Sequence, residues 1–466
     1  MKSFPSFGPL FLLFTFEFLL LTSCSVSSKI SKSAKNTVLN AAPLKTAHIG
    51  ISIYDPETGK YLYNYQGDKY FVPASNTKIP TCYAAMKYLG DSLVGLRYEI
   101  VASIGDTSML IEPTGDPTFL HSDFISQPVY NFLKTTPIRF GVVLPMVNTI
   151  SYSGGWNIGD LGENYLPTRS YFPVYGNMVC ISVNKGIVSS EPGYFSKNNL
   201  ISYGFRNGRA EIKKPSEKNY YEVKSDTNVS NYKQQLPFSI DLNFPKVLIE
   251  DTLNKRIDYS YSRNSPVASA KFLEIESAWF TDEQFKSSRL KNPKIIHSQP
   301  TDSLLKPMMH RSDNFFAEQS LLMVSNEYLG MMNDAKIIDT LLKTDFKDLP
   351  QKPRWADGSG LSRYNLFTPQ DFVTILNKMK NEFGMERIKT IFPTGGEGTI
   401  SSYYKAGNGY VYAKTGTLSG VVALSGFLYT KKGKLLIFST LVNNHQASAT
   451  EVRRAVERFI ESLRKY

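Results

Sequence analysis

The chain has 466 residues, of which 42% are hydrophobic and 20% charged, and it carries a net charge of +12. These proportions exclude collagen-like, coiled-coil and wholly disordered chains, and the length predicts about two to four domains. The basic residues are scattered rather than gathered into a stripe, so no nucleic-acid groove is expected.

The chain opens on a short apolar stretch, residues 8–22, preceded by Lys2 and interrupted by Glu17. It is too short for a comfortable membrane span and has the place of a signal peptide. Leu21-Thr22-Ser23-Cys24 resembles the bacterial lipobox, in which the cysteine is lipidated and becomes the new N-terminus. The resemblance implies a lipoprotein with residues 1–23 removed and Cys24 as its lipid anchor. Residues 24–44, rich in Ser, Lys and Ala, are expected to form a flexible tether. No later run reaches 18 apolar residues, so the lipid is expected to be the only contact with a membrane.

From His48 to Tyr54 and from Tyr61 to Tyr65 the pattern alternates around a turn at Asp55–Gly59, which predicts a β-hairpin. Ile79, Cys82, Tyr83, Met86 and Leu89 recur at steps of three and four and predict a helix with one core-facing side, stopped near Gly90. Residues 106–297 read as inserted, β-rich material with long polar loops. A helical pattern returns from 298 and leads into Ser312-Asp-Asn314. Tyr410–Lys414, Val421–Thr430 and Leu435–Asn443 predict paired strands, with a turn at Lys431–Gly433, and Val452, Val456, Phe459, Ile460 and Leu463 predict a closing helix. Strands at both ends of the chain predict one sheet built from both termini. The expected division is therefore 45–105 and 298–466 for one α+β domain, with 106–297 inserted in it.

The chemistry must be assembled without histidine or metal. Three cysteines (Cys24, Cys82, Cys180) form no CxxC pair, and five histidines include no HExxH, so no metal and no other cofactor is expected. A serine can instead use a lysine one helical turn away as its base. Ser75-Asn-Thr-Lys78 has that spacing, but seven Ser-x-x-Lys tetrads occur in the chain, so spacing alone does not choose. Ser312-Asp-Asn314 and the single Lys-Thr-Gly, Lys414-Thr415-Gly416, followed by Thr417, do choose it. Ser-x-x-Lys, Ser-x-Asn and Lys-Thr-Gly in that order are the signature of penicillin-recognising serine enzymes.

The interval from Ser75 to Ser312 is more than twice that from Ser312 to Lys414. This spacing resembles the D-alanyl-D-alanine carboxypeptidase/endopeptidases of DacB type, low-molecular-mass penicillin-binding proteins with domains inserted between the first two motifs. Gly115-Asp-Pro-Thr118, Gly155-Trp156 with Asp160, Lys306–Asn314, Asp357–Arg363 and Gly398-Thr399 resemble further segments of that family. The resemblance covers roughly 45–465 and implies a β-lactamase/transpeptidase-like fold, an antiparallel sheet flanked by helices.

It also implies roles. Ser75 is the nucleophile, Lys78 the base, Ser312 a proton relay and Asn314 a holder of Lys78 or of the substrate amide. Lys414, Thr415, Gly416 and Thr417 receive the terminal carboxylate, and the backbone N–H groups of Ser75 and Thr417 form the oxyanion hole. Asp160 would contact the free amine of a diamino acid in the stem peptide, or be a plain loop residue. The implied partners are peptidoglycan peptides ending in D-Ala-D-Ala, with β-lactams as covalent inhibitors, in a periplasm-facing cell envelope. Two other readings compete: a serine β-lactamase, for which no Glu-x-x-Leu-Asn segment supplies a deacylating base, and a non-catalytic envelope lipoprotein, which would not need all five catalytic side chains.

Overall fold

The computed structural model describes residues 26–103, 106–143, 145, 147, 152–215, 218–241, 243–259, 290–405 and 408–466. The expected signal peptide and the expected lipid-anchor residue Cys24 lie outside the described residues. In chain order, β1 (His48–Asp55) and β2 (Lys60–Tyr65) form the hairpin, and a 3-10 turn (Ala74–Thr77) runs into the helix Lys78–Tyr88. The chain then leaves for β3 (Ser92–Ser103), β4 (Asp106–Pro113), β5 (Arg139–Val142), β6 (Met178–Asn184), β7 (Ile187–Glu191) and β8 (Ile201–Phe205). β9 (Glu211–Lys213), β10 (Tyr221–Ser225), β11 (Tyr232–Pro237), β12 (Asp258–Tyr259) and β13 (Lys294–Pro300) complete that excursion. Helices Thr301–His310, Asn314–Leu329, Asp334–Lys343 and Pro369–Ile391 follow, then β14 (Val411–Leu418), β15 (Val421–Tyr429), β16 (Leu435–Asn443) and the closing helix Ala449–Leu463.

The main sheet has the order β14-β15-β16-β1-β2 and is antiparallel throughout. As its pattern predicts, it draws on both ends of the chain: His48 pairs with Asn443 and Tyr54 with Ile437. Both faces are covered, so β1, β15 and β16 are almost wholly buried. Alternation sorts their side chains: Ile49, Ile51, Val422, Leu424 and Phe438 pack under the closing helix, whereas Ala423, Phe427, Ile437 and Leu441 pack against the helices of the other layer. The fold is thus α+β with an antiparallel sheet between helical layers, as expected.

Two expectations are corrected. The segment read as a flexible tether is helical over 26–34 and continues as a π-turn at Lys35–Leu39. Ile30, Ala34 and Val38 fall one helical turn apart, and this stripe packs on the closing helix, where Ser33 Oγ lies 2.6 Å from Ser462 Oγ. A reading by composition overlooks such a stripe because its neighbours are Ser and Lys. The insertion also starts earlier and ends later than 106–297. β3 and β13 pair with each other, and Thr301 bonds through its N–H to Asp91 O (2.9 Å) and through its hydroxyl to Gly90 O (2.8 Å). The exit and the return of the chain are stitched together there, so the inserted module is 92–300.

That module holds the sheet β12-β5-β4-β3-β13 and two three-stranded sheets, β8-β10-β9 and β11-β6-β7, around one core. Leu322 and Met332 of the helical layer join this core, and the buried Gln319 amide donates to Gly115 O (2.7 Å) and Ser170 O (2.9 Å). Insert and helical layer are therefore packed as one body around the cleft between them. Cys82 lies in the helical core and Cys180 on β6, and both thiols are free.

Candidate active site

Three separate stretches of chain converge on a cleft of about 640 Å³ lined by Ser75, Ser312, Asn314, Thr415 and Thr417. Ser75 stands on the 3-10 turn that enters the Lys78–Tyr88 helix, after Ala74, whose φ of 48° is left-handed. Ser312 has φ 63°. Non-glycine residues held in this region cost about 1–3 kcal/mol each, and such strain collects where side chains must be aimed. Asp313 fixes the second turn by capping the Asn314–Leu329 helix: its carboxylate accepts from Phe316 N at 2.9 Å.

Lys78 is fully buried. Its ammonium reaches Ser75 Oγ at 3.0 Å and donates to Asn314 Oδ1 and to Ser359 O, both at 2.7 Å. Burial pushes its pKa down to about 8, against the opposing pull of Asp357, Glu318 and Asp313. At pH 7 roughly one Lys78 in ten is then uncharged and able to take a proton from Ser75. Lys414, on β14, donates to Ser312 Oγ at 2.8 Å and to Thr415 O at 2.9 Å. Its pKa is held well below the usual lysine value by burial and then by the Lys78 charge.

Gly416 is required by closeness. A Cβ there would lie 2.5 Å from Pro73 O and 3.1 Å from the Ala74 Cβ, so β14 could not run against the Ser75 turn. Asn76 ties the two together from below, donating to Lys414 O at 2.8 Å and accepting from Ser425 Oγ at 2.7 Å. β14 is the edge strand of the main sheet, and its outer row of backbone groups is engaged by Pro393, through Ala413 N at 3.1 Å, before the strand reaches the cleft-lining Thr415 and Thr417. Thr415 Oγ1 donates to Thr399 Oγ1 at 2.8 Å.

The Asp357–Arg363 segment is a turn packed beneath the site. The buried Asp357 carboxylate accepts from Gly360 N, Ser362 N, Asn365 Nδ2 and Trp156 Nε1 at 2.7–2.8 Å. Glu318 accepts from Ser359 N at 2.8 Å, so the carbonyl that holds Lys78 is itself held. Glu318 is fully buried and its carboxyl is pushed up to about 7 by burial and by Asp357. Arg169 lies against both Glu318 (3.3 Å) and Asp334 (2.6 Å).

The opposite wall comes from the insert. Asp160 ends the turn Ile158–Asp160, lines the cleft and accepts from Asn157 Nδ2 at 3.1 Å. Tyr165, beside it, has its phenol pushed up to about 12 by burial and by its hydrogen bond to Asp160, while its carbonyl accepts from Asn314 Nδ2 at 2.9 Å. The structure therefore brings Ser75, Lys78, Ser312, Asn314, Lys414, Thr415, Thr417 and Asp160 to one cleft. Sequence reasoning missed Glu318, Asn76 and Arg453, the last of which also lines the cleft. Asn76 and Glu318 sit inside or beside the motifs, where a polar residue at a core position was the available signal. Arg453 is one of several charges on an amphipathic helix, and nothing in its neighbours singles it out. Among the described residues no group of three His, Cys, Asp or Glu side chains could hold a metal ion.

Comparison with known proteins places the chain in a family. The profile of the D-Ala-D-Ala carboxypeptidase 3 (S13) family matches residues 32–187 and 292–463. The D-alanyl-D-alanine carboxypeptidase DacB of Haemophilus influenzae is 32% identical over 169 residues, 33% of this chain and 34% of that protein. The D-alanyl-D-alanine carboxypeptidase of Actinomadura sp. (strain R39) is 23% identical over 463 residues, covering 89% of this chain and 81% of the relative. The crystal structure of penicillin binding protein 4 (dacB) from Haemophilus influenzae superposes with a TM-score of 0.67 at 22% identity, over 94% of this chain and 99% of that one. The stretch matched in the Haemophilus sequence spans about a third of that relative's length, whereas the fold is shared end to end.

Proposed function

The chain belongs to the D-Ala-D-Ala carboxypeptidase 3 (S13) family, and from that premise we propose that it is a penicillin-sensitive serine D-Ala-D-Ala carboxypeptidase/endopeptidase acting on peptidoglycan stem peptides and cross-links. One observation carries the reading: Lys78 Nζ, 3.0 Å from Ser75 Oγ, is fully buried, held by Asn314 and Ser359, and pushed towards neutrality.

Ser75 Oγ attacks the carbonyl carbon between the two D-alanines while Lys78 takes the hydroxyl proton. The negative oxygen of the tetrahedral intermediate lies between the N–H groups of Ser75 and Thr417; a lost donor of this kind costs about 100–1,000-fold in rate. Ser312, whose oxygen accepts from Lys414, gives its own proton to the departing amine and receives in its place the proton that Lys78 took, which leaves Lys78 neutral again. D-Ala leaves, the peptide stays as an ester on Ser75, and water attacking that ester with Lys78 as base releases it. A β-lactam follows the same first step but keeps its leaving amine tethered.

Intact mass after brief exposure to benzylpenicillin tests this. One adduct on the Ser75 peptide is expected, together with D-Ala release from a pentapeptide, and Ser75→Ala should remove both. An adduct that survives Ser75→Ala would place the nucleophile elsewhere. The sequence Leu21-Thr22-Ser23-Cys24 supports a lipid anchor on Cys24 in a periplasm-facing envelope. Cys24→Ser should then release the protein from membranes, and unchanged membrane association would refute the anchor.

A further inference from the structure

We propose that Arg453, on the closing helix, is a second anchor for the substrate's terminal carboxylate, holding it together with the Thr417 hydroxyl. The inference rests on the acyl-enzyme reading above and adds to it a residue outside all three motifs.

Arg453 lines the same cleft as Ser75, Ser312, Thr415 and Thr417. Its Nη2 donates to Thr417 Oγ1 at 2.6 Å. A guanidinium has donors only, so Thr417 Oγ1 must accept, and its own proton is left to be given to something in the cleft. The arrangement presents a hydroxyl proton and a cation side by side, which suits a carboxylate. Among the described residues no acid forms an ion pair with Arg453, whereas the next residue, Arg454, pairs with Glu457 at 2.6 Å and stacks on Tyr403. Arg453 is also well fixed: its helix is capped by Ser448, Val452 and Val456 on either side of it are buried, and its Nε is enclosed. An unpaired, half-buried arginine aimed at a cleft fits an anionic ligand better than it fits a structural role.

The motif lysine does not fill this place. Lys414 Nζ is engaged with Ser312 Oγ and Thr415 O, and both burial and Lys78 favour its neutral form. Arginine keeps its charge at every working pH. The division of labour is then that Lys414 serves the Ser312 proton relay, and Arg453 supplies the lasting positive charge that the leaving residue's carboxylate requires.

The test compares Ser75 acylation of the full-length protein by benzylpenicillin, which has a free carboxylate, and by its methyl ester, which has none. Arg453→Gln should slow acylation by the acid about 10–100-fold, the range of a lost charge-assisted hydrogen bond, and leave the ester rate unchanged. Arg453→Lys should retain much of the preference for the acid. A Gln variant that keeps the full preference overturns the proposal. If the Gln variant loses both reactions together, the Lys variant decides: restored preference for the acid supports the anchor, and an ester rate that recovers without that preference means that Arg453 only orients Thr417. Wild-type protein that reacts at Ser75 with neither compound would instead sink the acyl-enzyme reading, which these variants leave intact.

Discussion

The two walls of the cleft are built on opposite principles. The floor and strand side, from the lobe of the main sheet, is dry: Lys78, Lys414, Asp357 and Ser359 are fully buried, and each is fixed by several hydrogen bonds. The wall from the insert is wet: Ile158 is 81% exposed, and Asp160 bonds its own turn through Asn157. Low dielectric strengthens charge effects and shifts proton affinities, so acid-base chemistry belongs on the floor. A solvated wall changes little in charge when altered, so it can vary what is recognised without disturbing that chemistry.

The largest effect is expected on the floor. Lys78→Met removes the base and should lower Ser75 acylation by about 100–10,000-fold. In the wild type only the neutral lysine is competent. With a pKa pushed down to about 8, the rate should rise about tenfold per pH unit below that value and level off above it. The Met variant should lose this limb as well as the rate. Acylation measured from pH 5.5 to 9.5 checks both, and a slow variant that keeps the limb would assign the titration to another group.

The next effect tests whether the floor is rigid because it is crowded. Gly360 has φ +87°, and a Cβ there would lie 1.9 Å from Ala74 O, immediately before the nucleophile. Gly360→Ala combines left-handed strain with overpacking and should cost about 2–4 kcal/mol of stability, read by thermal unfolding. It should also displace the Ser75 turn, and misplacement by about 1 Å costs roughly 100-fold in rate. Unchanged acylation in a destabilised variant would show that the turn is held from elsewhere.

The same contrast decides what was legible in the sequence. The floor was readable because its chemistry needs particular residues in particular order: Ser75 and Lys78 share a helical face, Ser312 and Asn314 flank a cap, and Lys414 precedes a glycine that only close packing explains. The main sheet was readable because both termini alternate with period two. What supports the floor was readable at most as polar residues at core positions, not as contacts. Glu318 and Arg169 are distant in sequence and meet only through tertiary packing, and Arg453 belongs to a helix whose polar face looks like any other. The insert's limits were misplaced because β3 and β13 pair across about 200 residues, which no local pattern reports. The helix at 26–34 was missed because Ser and Lys between Ile30, Ala34 and Val38 masked a short stripe.

The smallest effect is the sharpest probe of the separation. We expect Asp160 to attract the free amine of a diamino acid in the stem peptide, from the exposed wall and across solvent. Exposed ion pairs are worth about 0.2–1 kcal/mol, so Asp160→Asn should lower kcat/KM for a free-amine pentapeptide by only about 1.5–5-fold relative to its N-acetylated counterpart. Salt should shrink the difference further, because such a contact is screened. Acylation by benzylpenicillin, which carries no such amine, should not change. If penicillin acylation falls with the peptide rate, Asp160 acts through Tyr165, whose carbonyl holds Asn314 and through it Lys78, and the wet wall is then part of the dry floor's machinery. If the free-amine preference is unaltered while both rates stand, recognition of the stem peptide lies elsewhere on the insert.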